Sequence, residues 1–475
     1  MTTTSPVRLY NTLSRSVETL HPLSPSQVKL YCCGPTVYNF AHVGNLRTYL
    51  FEDLLARTLR AAGYQLSHVM NITDVGHLVS DADSGEDKML VAMRREGRKS
   101  AEIAEFYSNI FFEDCAKLNI IRPDVVCNAT AHIPEMIALI QRLEKNGCTY
   151  VAGGNVYFDV HSISDYGKLA RLDLSKLEAG ARIEIDAHKK NPHDFVLWFT
   201  KSKFENQELQ WESPWGRGYP GWHIECSAMS MKHLGEEFDI HCGGVDHISV
   251  HHTNEIAQSE GATGKPWVNI WMHGGFLVNE NKEKMAKSAG GFIGMKDLIE
   301  KGIDPVAYRL MCLSAHYKMP LAFSWEILSG AAQTLEKLKR AVLVLKAEAQ
   351  GSTAGGMSSA ASEIRAKFFD CFFNDLNAPQ ALAVMWGALS EKSISAAERL
   401  ALILDFDCIL GLGAAGWREQ VDEVPAQVRQ LVSERDNARQ AKDWKQSDLL
   451  RDQIKALGYT VVDFPDGGKA RKLAS

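Results

Sequence analysis

The sequence carries donor atoms that soft metal ions prefer. An adjacent pair of cysteines, Cys32–Cys33, ends an apolar run, and Cys226 follows a strand-like stretch just before a predicted helix. His251 and Glu255 are four residues apart, so a helix presents them on one face and turns His252 away from it. Two thiolates, an imidazole and a carboxylate are typical of a zinc site. Taken singly, each residue is more typical of a buried cysteine or a surface histidine, and the pattern leaves open which cysteine of the pair takes part.

Two further motifs could bind phosphate groups. The sequence "HVGN", from His42 to Asn45, lies in the turn between a predicted strand and a predicted helix. Free N–H groups and positive potential at a helix N-terminus attract anions. Lys284 and Lys287 belong to "KMAKS" in a polar, glycine-flanked loop and could clamp a polyphosphate. Each motif by itself is also typical of an ordinary surface turn or loop.

Strand and helix patterns in the first part of the chain position these motifs. Residues 28–34 are predicted to form a buried strand that ends in a turn, residues 43–64 an amphipathic helix, and residues 64–73 the next strand. A strand–helix–strand order predicts an α/β domain with a parallel sheet.

The pattern changes twice further along the chain. It loosens over residues 114–217 and resumes at residue 218, which indicates an insertion into the α/β domain. Beyond residue 320 the chain is predicted to be mainly helical, with a boundary near residue 416. The tail is predicted to contain two helices, one strand and a basic end.

Composition excludes several classes of protein. The 475 residues suggest several domains, and no apolar run is long enough to span a membrane. The start of the chain lacks an apolar stretch behind a basic segment, so we expect no secretory signal and a cytoplasmic location. The ten cysteines are scattered, which argues against a disulfide framework. A net charge of −6 argues against nonspecific polyanion binding but allows a local basic surface.

The phosphate turn and the lysine loop together resemble the class I aminoacyl-tRNA synthetases. The resemblance becomes specific to the cysteinyl-tRNA synthetase family in "CGPTVYNFAHVGNLRTY", "NITD", "NPHDFVLW", "PGWHIECSAM", "DIHCGGVDH" and "HHTNEIAQ", which occur in that order. It implies an α/β fold with a Rossmann-like parallel-sheet catalytic domain that carries an inserted connective domain. A helical bundle and a small anticodon-binding domain follow. The implied ranges are 1–113 and 218–320 for the two catalytic halves, 114–217 for the insertion, 321–415 for the bundle and 416–475 for the last domain.

The resemblance also implies a reaction. L-cysteine is activated by ATP with Mg²⁺ and transferred to tRNA(Cys), with one Zn²⁺ per chain, and the protein is expected to be a monomer. An apolar pocket discriminates poorly between cysteine and serine or alanine. Zinc, by contrast, can bind the thiolate of cysteine in preference to the hydroxyl of serine. The metal would therefore select the substrate, and no editing domain is expected.

Roles for individual residues follow from the matching motif positions. The implied zinc ligands are Cys33, Cys226, His251 and Glu255. The implied catalytic and ATP-contacting residues are His42, Asn45, Lys284 and Lys287, with Gly244 and Asp246 also contacting ATP. The implied substrate pocket comprises Gly34, Thr36, Thr48, Thr73, Trp222 and His241. On a strand, neighbouring side chains face opposite ways, so Cys32 is then expected to pack in the core.

Some positions depart from the family pattern. Ala286 replaces a serine of the lysine loop, and Thr253 stands where the family often has glutamate. Neither change removes an implied ligand or lysine. The tail lacks the tryptophan that the family places near its end, which bears on how the anticodon is contacted.

The tail carries basic residues that the resemblance assigns to RNA contact. Acidic residues interleave with them, so a solvated charged face is the alternative. Trp444 is a candidate for stacking on a base or for packing in the core. The basic residues are Arg429, Arg435, Arg439, Lys442, Lys445, Arg451, Lys469, Arg471 and Lys472.

Two other functions compete with the main interpretation. A related cysteine ligase could transfer cysteine to an amino-sugar acceptor in thiol biosynthesis, although such relatives look truncated at the C-terminus. A non-catalytic, zinc-containing RNA-binding homologue is the second alternative, against which the presence of His42, Lys284 and Lys287 argues.

Overall fold

The computed structural model describes residues 5–76, 88–172, 187–201, 208–279, 281, 283–285, 292–350, 356–418, 424–464 and 467–472. The described strands are β1 (Arg8–Asn11), β2 (Ser16–Thr19), β3 (Gln27–Cys32), β4 (Gln65–Ile72), β5 (Val125–Asn128), β6 (Thr149–Ala152), β7 (Asn155–Phe158), β8 (Phe195–Phe199), β9 (Tyr219–Pro220), β10 (Phe238–Gly244), β11 (Val268–Gly274), β12 (Leu277–Val278), β13 (Leu321–Ala322), β14 (Tyr459–Phe464) and β15 (Gly467–Lys472). The described α-helices are α1 (Val43–Ala61), α2 (Lys88–Glu96), α3 (Ser100–Lys117), α4 (Ile133–Lys145), α5 (Trp222–Leu234), α6 (His251–Thr263), α7 (Met295–Glu300), α8 (Pro305–Leu313), α9 (Trp325–Glu348), α10 (Ser359–Phe373), α11 (Ala378–Ser390), α12 (Ala396–Leu410), α13 (Ala426–Gln440) and α14 (Trp444–Ala456).

A five-stranded parallel sheet forms the centre of the first compact unit, which comprises residues 1–295, 315–323 and 373–377. Its strand order is β11-β10-β3-β4-β5. Strand β10 is buried throughout and its neighbour β3 over its last three residues, as expected where both faces of a parallel sheet are covered. The carboxyl ends of β3, β4 and β10 therefore lie side by side, and the candidate site residues follow these ends.

The predicted strand–helix–strand unit is confirmed. Helix α1 connects β3 to β4, and its predicted apolar face is buried, although the burial extends around the whole helix over residues 49–56. Gly63, with φ of 93°, ends the helical conformation. That backbone angle is costly for residues with a Cβ.

One strand of the main sheet falls inside the range 114–217, which the sequence pattern assigned to the insertion. Strand β5 pairs in parallel with β4, Val69 opposite Val125. It is only four residues long, so its apolar signal is too short to separate it from the loops around it. The antiparallel sheet β6-β7-β8-β9 lies between β5 and β10 in sequence and is the inserted layer.

A second prediction about this region is wrong. Cys226 does not end a strand but lies in the second turn of α5. The preceding strand β9 contains just Tyr219 and Pro220, and Gly221 is the N-cap of α5. Alternating apolar residues in "WHIEC" imitate a strand, whereas Pro and Gly just before it mark the helix start.

The second compact unit comprises residues 296–314, 324–372 and 378–475 and is mainly helical. The long helix predicted after residue 320 is α9, which packs against α8 and α12. In the tail, α13 and α14 pack on each other around Val428, Val432 and Ile454. The basic end, predicted to lie outside any strand, is β15, which pairs with β14 as an antiparallel hairpin. No helix in the described parts of the chain has the length and hydrophobicity to cross a membrane.

Candidate metal and nucleotide site

The N-terminus of α1 is closed by the predicted phosphate turn. Asn45 donates its backbone N–H to Nδ1 of His42 at 3.2 Å, and the backbone N–H of His42 donates to Oδ1 of Asn45 at 3.3 Å. This reciprocal capping fixes both side chains. Because Nδ1 of His42 accepts a hydrogen bond, the neutral ring carries its proton on Nε2, the atom suited to donate to an anion.

The ends of the lysine loop lie next to this turn. The backbone N–H of Val43 donates to the Ile293 carbonyl at 2.9 Å, and that of Met285 donates to the Leu277 carbonyl at 3.0 Å. Lys284 forms an ion pair with Asp246 at 3.0 Å between Nζ and Oδ2. Burial opposes ionisation of Asp246, but His247 and Lys284 outweigh it and lower the pKa of this carboxyl. Lys287 and Ala286, by contrast, lie outside the described residues.

The floor of the site is formed where β3 and β4 end. Gly34 donates its backbone N–H to Oδ1 of Asn71 at 2.8 Å, and a Cβ at Gly34 would overlap the Asn71 carbonyl oxygen. Thr73 is buried, accepts from Asn71 at 3.1 Å and donates to Glu225 at 3.1 Å. Thr36 pairs with Thr73 in an isolated parallel bridge. Glycine at position 34 is thus required by the close approach of two strand ends.

The four predicted metal ligands come together. Donor atoms of Cys33, Cys226, His251 and Glu255 all lie within 4.8 Å of one another, and all four residues are buried. Nε2 of His251 is 2.7 Å from Oε1 of Glu255, as expected for residues four apart on a helix. Two sulfurs, one imidazole and one carboxylate fit a soft divalent metal ion better than a hard one.

Burial and mutual contacts shift the pKa values of all four residues. A hydrogen bond with Cys33 is the main reason that the pKa of Cys226 is lowered, while burial raises the pKa of Cys33 well above its usual range. Burial opposes ionisation of Glu255, but His241 and His251 outweigh it and lower the pKa of Glu255. Burial alone would lower the pKa of His251, which the Glu255 carboxylate instead raises. Without a metal ion, these directions favour a neutral Cys33 thiol and a Glu255 carboxylate paired with a protonated His251. A divalent cation would take the place of the protons on His251 and Cys33.

Two histidines lie elsewhere than expected, His241 from the resemblance and His252 from helical spacing. His241, predicted to line the substrate pocket, is fully buried behind the ligands, with Nε2 2.7 Å from Oε2 of Glu255. His252, predicted to point away, has Nε2 3.4 Å from Sγ of Cys33. It lies in the first turn of α6, where every side of the helix is buried, so helical periodicity does not separate a site face from a core face. His241 and His252 also form a second possible donor group with Cys33 and Glu255.

Further supporting residues escaped the sequence pattern. Nδ1 of His223 is 2.9 Å from Nδ1 of His251, and His273 is 2.8 Å from Nδ1 of His252. Such contacts orient a ligand ring and fix its tautomer. The neighbouring "WH" and "MH" pairs in the sequence give no periodic signal for this role, because the contacts join residues far apart in the chain.

A single cavity of about 440 Å³ connects the two halves of the site. Trp222 lines it, packs edge-on to His251 and lies under the Lys88 ammonium group, which is 4.2 Å from its ring centroid. The predicted site residues among its lining are Cys33, Gly34, Thr36, His42, Asn45, Thr48, Thr73, Trp222, Cys226, Gly244, Asp246, His251 and Lys284. Thiol donors and the phosphate turn therefore face the same space.

Comparison with known proteins identifies the family. Residues 19–333 match the model of the class I (C) tRNA synthetase catalytic domain, and residues 421–468 match the cysteinyl-tRNA ligase anticodon-binding domain. A cysteine–tRNA ligase of Treponema denticola is 48% identical, with 96% of this chain and 98% of the relative covered. The chain belongs to the cysteine–tRNA ligase family. Another member, cysteine–tRNA ligase 1 of Burkholderia lata, is 47% identical over 97% of this chain and 96% of its own.

The fold extends beyond the cysteine–tRNA ligase family. The Mycobacterium tuberculosis methionyl-tRNA synthetase bound by methionyl-adenylate has a TM-score of 0.55 and 16% identity, covering 82% of this chain and 90% of its own. This likeness concerns the fold, and it confirms the predicted class I synthetase architecture.

In the range that matches the cysteine–tRNA ligase anticodon domain, the basic residues differ in exposure. Arg435 is buried and holds Asp463 with two hydrogen bonds of 2.6 and 3.2 Å, so it stabilises the domain rather than facing a ligand. Arg429 is exposed. Trp444 is 59% exposed, which excludes the core role considered for it.

Proposed function

We propose that this chain activates L-cysteine with ATP and transfers it to tRNA(Cys). The observation that carries the proposal is the shared cavity, in which buried thiol, imidazole and carboxylate donors face the same space as a capped helix N-terminus. A thiol-binding group and a phosphate-binding group side by side suit the formation of an aminoacyl-adenylate from cysteine and ATP. Family membership supports the same reaction.

The proposed metal is one Zn²⁺ per chain, held by Cys33, Cys226, His251 and Glu255. When bound, zinc would supply a Lewis acid that binds the thiolate of cysteine in preference to the hydroxyl of serine. Behind these ligands, His223 would hold the ring of His251 in its tautomer. His241 would hold the Glu255 carboxylate.

The proposed nucleotide contacts follow from the helix end. Nε2–H of His42 and the N-terminus of α1 would donate to ATP phosphates, while the protein positions the α-phosphate for attack by the cysteine carboxylate. Lys284 would leave its ion pair with Asp246 and contact phosphate oxygens of ATP, which enters with Mg²⁺. Lys287 is proposed to act with it, because the described residues bordering the loop approach the His42 turn.

The proposed acceptor is tRNA, because residues 421–468 match an anticodon-binding domain. That match argues against the amino-sugar ligase. The donor cluster and phosphate turn argue against a non-catalytic RNA-binding homologue. We further propose the domain limits predicted from the sequence, except that β5 belongs to the catalytic domain, β9 to the insertion and residues 296–314 to the helical unit. A cytoplasmic location and a monomeric state are also proposed, the last testable by light scattering.

Cysteine-dependent ATP–pyrophosphate exchange, followed by tRNA charging, tests the proposal. Cys226→Ser should lose zinc and reduce the preference for cysteine over serine by about 100-fold, or about 2.7 kcal/mol. Cys148→Ser, a change at a buried cysteine outside the cluster, should change neither quantity. Absence of cysteine-dependent exchange would overturn the reaction, and unchanged zinc content in Cys226→Ser would overturn the ligand assignment.

A further inference from the structure

A second cavity, of about 190 Å³, lies between α1, β4, α3 and the loop that follows α3. Its walls are mainly apolar and include Tyr49, Met70, Phe111 and Phe112. Tyr49 and Phe111 also line the metal and nucleotide cavity, and their rings meet edge to face at 4.7 Å. This pair therefore forms a common wall, with a different set of polar residues on each side of it.

Two polar side chains in the second cavity lack partners. Glu52 is 1% exposed, and apart from a contact with the weakly donating Cys32 thiol neither of its carboxylate oxygens has a hydrogen-bond partner among the described residues. His68 is 3% exposed, and neither ring nitrogen has a partner in that part of the chain. Buried polar groups are almost always hydrogen-bonded. An acid and an imidazole both left unsatisfied on one apolar cavity indicate a ligand with complementary polar atoms.

The neighbouring charged groups are already used. Asp53 accepts from Arg57 Nε at 2.7 Å and from the Ile121 backbone N–H at 2.9 Å. Arg122 is exposed and lies 3.8 Å from the Phe112 ring centroid. Among the described residues, Glu52 is thus the acid of the cavity lining that has no ion-pair partner.

The protonation states of the two residues follow from burial. Burial raises the pKa of Glu52 well above its usual range, although the nearby Cys32 thiol opposes this. Burial lowers the pKa of His68 to about 4, so its ring is neutral at pH 7. A ligand must therefore offer donors to Glu52 and a hydrogen-bonding group to a neutral imidazole.

We propose that this cavity is a second small-molecule site, which binds a compact apolar compound carrying a protonated amine or amidine, with Glu52 and His68 as its polar contacts. A cation restores the charged form of Glu52 and lies against aromatic faces, whereas an anion would leave Glu52 protonated and would lie near the Asp53 carboxylate. Since about 10–15 Å³ of such space holds one water molecule, the cavity of about 190 Å³ has room for roughly 13 to 19 water-sized groups, which is enough for a compound of about ten non-hydrogen atoms.

Calorimetric titration of the full chain with benzamidine, and with its neutral isostere benzamide, tests the proposal. Benzamidine should bind about tenfold more tightly than benzamide, since a charge-assisted hydrogen bond to Glu52 separates them. In Glu52→Gln this difference should disappear. Asp246→Asn, which removes the acid of the other cavity, should retain it. Equal binding of the two probes to the unmodified chain, or a loss of discrimination in Asp246→Asn instead, would overturn the proposal.

Crystals of the unmodified chain soaked with 4-iodobenzamidine give a measurement that requires no variant. An iodine signal in the cavity between Tyr49, Met70 and Phe111, with the amidine at Glu52, supports the site. Iodine confined to the metal and nucleotide cavity, or ordered water alone around Glu52 and His68, overturns it.

Discussion

Cys32 and Cys33 are neighbours at the end of β3 whose side chains point to opposite sides. The same Cys→Ala substitution can therefore be tested on each side. Sγ of Cys33 is 3.4 Å from His252 Nε2 and 3.9 Å from Glu255 Oε1. Cys32 is paired in register with Cys242 on β10 and is buried on the other side. Cys33→Ala should therefore lose zinc, and Cys32→Ala should keep it.

The expected magnitudes differ widely. Structural zinc sites bind with about 10–16 kcal/mol, so one ligand of four contributes about 2.5–4 kcal/mol. Cys33→Ala should therefore weaken zinc binding by about 100- to 1000-fold. Cys32→Ala removes one buried sulfur atom from a packed sheet and should cost about 1 kcal/mol of folding stability. Its zinc affinity should stay unchanged.

Competition with a chromophoric zinc chelator at fixed pH measures the affinities, and urea denaturation measures the stabilities. Cysteine and serine exchange assays on both variants then show whether metal loss and loss of discrimination occur together. Wild-type zinc affinity in Cys33→Ala would refute the ligand assignment, and zinc loss in Cys32→Ala would refute the separation of the two faces.

Three other changes have definite expected results. His241→Asn should weaken zinc binding by about 10- to 100-fold through the released Glu255 carboxylate, as the same chelator assay would show; an unchanged affinity would contradict the supporting role. The pKa of His68 is lowered by burial from 6.5 to about 4, so as the pH falls the unfolded chain takes up this proton before the folded chain does. Stability should therefore fall by about 3 kcal/mol between about pH 6.5 and 4, and His68→Phe should remove this part of the loss in urea denaturation at each pH. Arg435→Ala should destabilise the anticodon-domain region by about 1–3 kcal/mol, less than for a fully buried pair because Asp463 is partly exposed. Arg429→Ala should change stability by less than about 0.5 kcal/mol, and equal effects of the two changes would contradict the distinction.

The fold was predictable where local patterns were long. Helix α1 and its flanking strands have periodic apolar residues over many positions, and their predicted limits agree with the structure to within a few residues. Strand β5 is too short for such a pattern. Its place at the sheet edge depends on backbone pairing with β4, which no local feature of the sequence encodes.

The tail shows a related limit. The basic end gives no apolar alternation from which to predict β15. Its strand conformation arises from pairing with β14 and packing against α13. Tertiary contacts thus determine the second strand of the hairpin where local preference does not.

Within the site, the donors themselves were predictable and their supports were not. Residue type and the four-residue spacing of His251 and Glu255 indicate a metal site that includes Cys226, because thiolate, imidazole and carboxylate are the ligand types that zinc prefers. His241 and His252 were misplaced because their positions depend on how α6 packs onto the end of β10. A rotation of α6 by about 100°, the angle between consecutive residues of a helix, would exchange the positions of His251 and His252 without any change in sequence spacing. A residue that positions a metal ligand can therefore be identified only when the contact between the two elements is known. For this reason the contact between His241 and Glu255 is a finding of the structure.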